Sequence, residues 1–125
     1  MTDRPTILVV EDDPDIRELL AELLEDEGYD VHIAADGEAA IDELEHWEPS
    51  VMLLDLMLPR ISGWEILRRL RTGDIGHPPN AIIVLSASGA AANEATRSPH
   101  VRGMLRKPFK VDQLLETVED ATHAG

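Results

Sequence analysis

The sequence predicts an α/β fold: one parallel, five-stranded sheet with helices on both of its faces. Three observations carry this expectation. Short β-rich apolar runs alternate with helix-patterned stretches from one end of the chain to the other. The runs are apolar at successive positions, as in strands buried on both faces. Neither an internal repeat nor a Pro/Gly/Ser-rich linker interrupts the series, so residues 1–125 read as a single domain.

The elements follow in order. Thr6-Ile7-Leu8-Val9-Val10 is the first run, and it ends in Glu11-Asp12-Asp13-Pro14. Asp13 suits an N-cap and Pro14 the first helical position. Ile16, Leu19, Leu20, Leu23 and Leu24 then keep helical spacing, and Gly28 stops the helix. Val31 to Ala34 is the second strand, and Asp36-Gly37-Glu38 opens a helix with Ala40, Ile41 and Leu44 on one face. Val51 to Leu54 forms the third run, ending in Asp55. A turn from Leu58 to Gly63 leads into a helix carrying Ile66, Leu67 and Leu70. Ala81 to Leu85 is the fourth run, ending in Ser86. The alanines after Ala87 allow a helix that Ser98-Pro99 cuts short. Gly103 to Arg106 makes a weakly patterned fifth strand ending in Lys107-Pro108, and the last helix turns Val111, Leu114, Leu115 and Val118 inward.

Composition narrows the function. Apolar residues make up 43% of 125, enough for a core. No apolar run approaches the ~18 residues of a membrane span, and the first residues lack the apolar stretch of a secretory signal. The absence of cysteine excludes disulfides, thiolate metal sites and a cysteine nucleophile. Eleven basic against 25 acidic side chains give a net charge of −14, which repels DNA, RNA and anionic membranes. A cytoplasmic protein is expected.

In open parallel sheets, ligands bind beyond the carboxyl ends of the strands, where strand order reverses. The residues there are Glu11, Asp12, Asp55, Ser86 and Lys107. Three carboxylates gathered at one rim repel by about 4 kcal/mol per pair at ~4 Å and an effective dielectric near 20. Lys107 offsets part of this, and an oxygen-only donor set suits Mg²⁺, which binds one or two carboxylates together with phosphate oxygens. A carboxylate can attack phosphorus to give an aspartyl phosphate, a reaction governed by positioning and charge neutralisation. Asp55 is the candidate phosphoacceptor, with Lys107 and the Ser86 hydroxyl positioned for the phosphoryl oxygens. Read singly, each residue has a plainer role: cap, turn or surface lysine. Their joint occurrence at strand ends is what those roles leave unexplained.

The stretches Ile7-Leu8-Val9-Val10-Glu11-Asp12-Asp13, Leu53-Leu54-Asp55-Leu56-Met57-Leu58-Pro59, Ser62-Gly63-Trp64-Glu65, Ser86-Ala87 and Lys107-Pro108-Phe109 together resemble the receiver domain of two-component response regulators over essentially the whole chain. The resemblance implies a flavodoxin-like (βα)5 fold with strand order 2-1-3-4-5, and no output domain within 1–125. It implies phosphorylation of Asp55 by a sensor histidine kinase or histidine phosphotransfer protein. It implies Mg²⁺, or Mn²⁺ in its place, held by Glu11, Asp12, Asp55 and the Met57 backbone carbonyl. Ser86 corresponds to the switch hydroxyl, Lys107 to the family's lysine, and the Lys107–Pro108 bond to one the family holds cis. Output to an unnamed downstream protein, or onward relay of the phosphoryl group, would follow.

Two departures stand out. Met104 takes the place of the family's aromatic switch residue, three before the lysine, and offers a flexible thioether without a phenol. The stretch from Asn93 to His100 does not follow the usual fourth helix, which predicts an output surface unlike that of DNA-binding regulators. Met57, two beyond the phosphoacceptor, has no hydroxyl or amide to position water, and Ser88 holds the matching place after Ser86; slow self-hydrolysis is expected.

Rival readings fit less well. Haloacid-dehalogenase-type phosphohydrolases carry a second aspartate where Met57 stands. A pseudo-receiver, which docks partners without phosphorylation, would not need the full acidic and basic set. His32, His46, His77, His100 and His123 have no metal-ligand spacing and no setting for a relay histidine, there is no Gly-rich Walker loop, and Trp47 and Trp64 read as partly buried surface anchors.

Overall fold

The computed structural model describes residues 4–123. Five strands and five helices alternate: β1 (Thr6–Val10), α1 (Pro14–Asp26), β2 (Asp30–Ala34), α2 (Gly37–His46), β3 (Val51–Asp55), α3 (Gly63–Thr72), β4 (Ala81–Ser86), α4 (Gly89–Ala95), β5 (Val101–Arg106) and α5 (Val111–His123). All strand pairings are parallel, in the order β2-β1-β3-β4-β5.

The sheet separates two apolar cores because successive side chains of a strand point to opposite faces. On one face Leu8, Val10, Met52, Leu54, Ile82 and Val84 pack under α2, α3 and α4. On the other, Ile7, Val9, Leu53, Ile83 and Leu85 pack under α1 and α5. Central strands β3 and β4 are buried at every position, whereas the outer strands β2 and β5 alternate or open to solvent.

Local chemistry sets the helix ends. The Asp13 carboxylate accepts from the Asp15 and Ile16 amides, with Pro14 opening α1, and Asp36 caps α2 through the Ala39 amide. Ser62 caps α3 through the Glu65 amide. Gly28 (φ 94°) and Gly73 (φ 81°) follow α1 and α3 in the left-handed region that favours glycine.

Two expectations, the start of β5 and the placement of Val111, are corrected. β5 begins at Val101, two residues before the weak pattern suggested, because pairing with the apolar β4 overrides a poor local signal. A bulge accompanies that pairing: Val101 lies opposite Ile82 but Gly103 opposite Ile83, so Arg102 is an extra residue. Val111 is not inward; at the first position of α5 it is 44% exposed and, with Leu19 (53% exposed), edges an apolar groove between α1 and α5. The helix after Ser86 ends at Ala95, ahead of Ser98-Pro99, and spans seven residues.

Candidate functional site

The chain runs from β1 outward to β2, then crosses to β3 on the other side of β1. This reversal puts the end of β1 beside the end of β3, and the residues after each strand meet there. Glu11 follows β1, its amide donating to the Ala34 carbonyl at 3.1 Å. Asp55 is the last residue of β3. Lys107 follows β5, its amide donating to the Ser86 carbonyl at 2.8 Å.

The polar side chains buried among the described residues are Glu11, Asp55 and Ser86, all at this rim. Burying carboxylates is costly unless their charge is paired. Here one ammonium serves two: Lys107 Nζ donates to Glu11 Oε1 at 2.6 Å and to Asp55 Oδ2 at 3.0 Å. Backbone amides take the remaining oxygens. The Asp13 amide donates to Glu11 Oε2 at 3.1 Å, and the Met57 amide to Asp55 Oδ1 at 3.0 Å. Burial raises the Glu11 pKa, against the lowering pull of Lys107 and the Asp13 amide. Burial works against the charged form of Lys107 too, but its hydrogen bonds to Glu11 and Asp55 carry the pKa upward overall.

Asp12 is exposed and completes the group: oxygens of Glu11, Asp12 and Asp55 all lie within 4.8 Å of one another. In formal charge, three carboxylates and one lysine leave a surplus of two negative charges, the charge of one divalent cation. The donor atoms are all oxygen, which suits a hard cation.

A family model described as the response regulator receiver domain matches residues 7–119. The chain belongs to that family. It is 35% identical over 120 residues to the transcriptional regulatory protein TcrA of Mycobacterium tuberculosis, covering 95% of this receiver and 46% of TcrA. It is 39% identical over 111 residues to the response regulator MprA of Mycobacterium sp. strain KMS, covering 87% of the receiver and 46% of MprA. The receiver thus spans less than half the length of these curated relatives. Among solved structures, the receiver domain of the Francisella response regulator 1452 superposes with a TM-score of 0.85 at 29% identity, covering 97% of this chain and 98% of that one. The response regulator TrrA of Thermotoga maritima, solved in complex with Mg(2+)-BeF, gives 0.78 at 32% identity, with 94% and 98% covered. The acidic pocket of Glu11, Asp12 and Asp55 is of the kind typical of Mg-dependent aspartyl phosphorylation. Receivers of this family are signalling domains rather than classical enzymes.

The remaining residues of this receiver that the sequence singled out are distributed unequally. Ser86 ends β4 at the same rim, and its hydroxyl accepts from the Ser88 amide at 3.0 Å. Ser88 in turn caps α4 through the Ala91 amide. The Lys107–Pro108 peptide bond is cis. Met57 is 75% exposed at the lip of the pocket. Met104 is 42% exposed on the face of β5 shared with α4. Sequence reasoning missed Arg17, whose guanidinium donates to the Glu11 carbonyl at 3.0 Å and the Asp12 carbonyl at 3.4 Å. That contact pins the acidic loop to the first turns of α1. The sequence signal was only a basic residue one turn after the acidic run, which any solvated helix could show.

Proposed function

We propose that this receiver is a phosphorylation-controlled switch in which Asp55 accepts a phosphoryl group from a phosphohistidine. The supporting observation is the state of its carboxylate. It is buried, fixed by one backbone amide and one lysine, and lies beside two further carboxylates. In the reaction, an Asp55 oxygen forms a bond to phosphorus while the phosphorus–nitrogen bond of the donor breaks. The electron pair leaves with the imidazole, which takes up a proton.

Glu11, Asp12, Asp55 and the Met57 backbone carbonyl are the groups assigned to hold Mg²⁺, with Mn²⁺ as a substitute. When bound, the ion neutralises charge on the transferring phosphoryl oxygens. Lys107 contributes a second positive charge, and the Ser86 hydroxyl donates to a phosphoryl oxygen. No general base is needed, because the nucleophile is already a carboxylate. The donor is a sensor histidine kinase or a histidine phosphotransfer protein. A net charge of −14 disfavours nucleic acid as a direct partner of these residues, so output runs through a protein contact or onward phosphoryl relay. Since kinases of this kind draw on cytoplasmic ATP, the cytoplasm is the assigned compartment.

Incubation with acetyl phosphate and Mg²⁺, read by intact mass, tests the assignment. One added phosphoryl group is expected in the wild type and none in Asp55→Asn. A wild type that takes up nothing would be a pseudo-receiver, and steady phosphate release from unrelated esters would make it a hydrolase instead.

The phosphoryl group is also assigned a slow self-catalysed loss. The Met57 side chain, 75% exposed, carries no hydroxyl or amide that could position an attacking water. Decay of the phosphorylated mass, followed after donor removal, should extend well beyond seconds; loss within seconds would refute it.

A further inference from the structure

The α3–α4 groove lies apart from the acidic pocket and has the opposite charge. Trp64, Leu67, Arg68, Arg71, Glu94, Arg97 and Ser98 line a cleft of about 300 Å³. Three of the chain's 11 basic side chains meet there, in a molecule of net charge −14. Their pairing is uneven. Arg68 is engaged by Glu65 through bonds of 2.9 and 2.6 Å. Arg71 and Arg97 form no ion pair among the described residues, although Glu94 stands three residues from Arg97. In the same groove, Trp64 is 37% exposed at the second position of α3, and Leu67 is buried.

We propose that this groove docks an acidic peptide segment of a partner protein, with an apolar side chain seated against Trp64 and carboxylates facing Arg71 and Arg97. Arginine pairs carboxylates in a planar, bidentate manner, and the aromatic supplies apolar area at low entropic cost. A small phosphate would use the guanidiniums but leave the tryptophan face without a partner. A basic peptide would meet unpaired arginines. The chain's overall negative charge does not defeat the contact, because fields are screened beyond ~8 Å at physiological ionic strength. Nothing in the groove requires Asp55 to be phosphorylated, so the inference stands apart from the switch.

A fluorescein-labelled peptide of alternating glutamate and leucine, titrated at physiological salt and read by anisotropy, tests the proposal. Saturable binding is expected, about tenfold weaker in Arg71→Glu/Arg97→Glu. The control Arg102→Glu/Lys110→Glu changes net charge equally at exposed positions outside the groove and should weaken binding far less. A second readout does not depend on how the reversed variant folds. In Trp47→Phe, the remaining Trp64 emission should shift on adding the unlabelled peptide. Absence of saturable binding, equal loss in both charge variants, a silent Trp64, or displacement of the peptide by millimolar inorganic phosphate would each overturn the docking assignment.

Discussion

Lys107 does two things with one charge. It offsets two buried carboxylates in the resting domain, and in the proposed reaction it meets the incoming phosphoryl oxygens. Replacing it by methionine leaves Glu11 and Asp55 buried with only backbone amides as donors. Removing one partner of a buried pair typically costs 3–5 kcal/mol, and Lys107 is partly solvent-exposed, so a loss of about 3 kcal/mol is expected for Lys107→Met. Denaturant melts measure it. Added Mg²⁺ should recover part of the loss, since an ion bound only to the folded state stabilises it by mass action. A variant as stable as wild type without Mg²⁺ would show that the lysine does not hold the carboxylates in place.

At the scale of single elements, α3 shows how closely helix and site are joined. Gly63 is its first residue, and a β-carbon there would lie 2.6 Å from the Asp55 carbonyl oxygen and 2.7 Å from Leu56 Cα. Both are backbone atoms and cannot swing aside. Gly63→Ala should therefore push α3 from the end of β3 and lower both the melting temperature and the rate of acetyl-phosphate labelling; unchanged labelling would mean the helix start can shift without moving Asp55. Ser62-Gly63-Trp64-Glu65 has the sequence of a capping box, but only half of it forms. Ser62 accepts from the Glu65 amide, while the Glu65 carboxylate turns to Arg68 and Arg69. Hydrogen bonds from Arg68 first, then Arg69, bring Glu65 down to about 2 from 4.5. A depressed carboxylate stabilises fully above its unfolded pKa and loses that contribution as pH falls through the folded one. The stability difference between wild type and Glu65→Gln should accordingly stay level near neutrality and shrink between pH 4.5 and about 2. A difference that instead persists to the lowest pH would assign the effect to something other than charge. Both ion pairs are partly open to solvent, which screens them, so the difference is small.

Across the whole molecule, the sheet was legible because its central strands are apolar at every step, and only a two-faced burial explains Val51-Met52-Leu53-Leu54 or Ile82-Ile83-Val84-Leu85. The acidic site was legible for the complementary reason: polar residues end those runs, and the topology gathers the ends. What escaped the sequence depends on neighbours distant in the chain. Val111 has the apolarity of a core residue, yet it sits at a helix start where the sheet no longer covers it. Arg17 looks like any helical cation until the loop it grips is folded. β5 has too little apolar pattern to declare its start, and its frame comes from β4.

That frame turns on one residue. A strand's side chains alternate strictly, so the extra residue Arg102 acts as a change of parity. Upstream of it, Val101 faces the α2, α3 and α4 side; downstream, Leu105 falls to the α1 and α5 core and Met104 to the opposite, open side. Were the bulge lost with Arg102 retained, Arg102 would pair opposite Ile83 and the faces of every residue that follows would exchange. The leucine would surface, the methionine would enter the core, and the lysine would leave the carboxylates it neutralises. The ammonium at Asp55 is thus addressed by arithmetic along an edge strand, five residues before it.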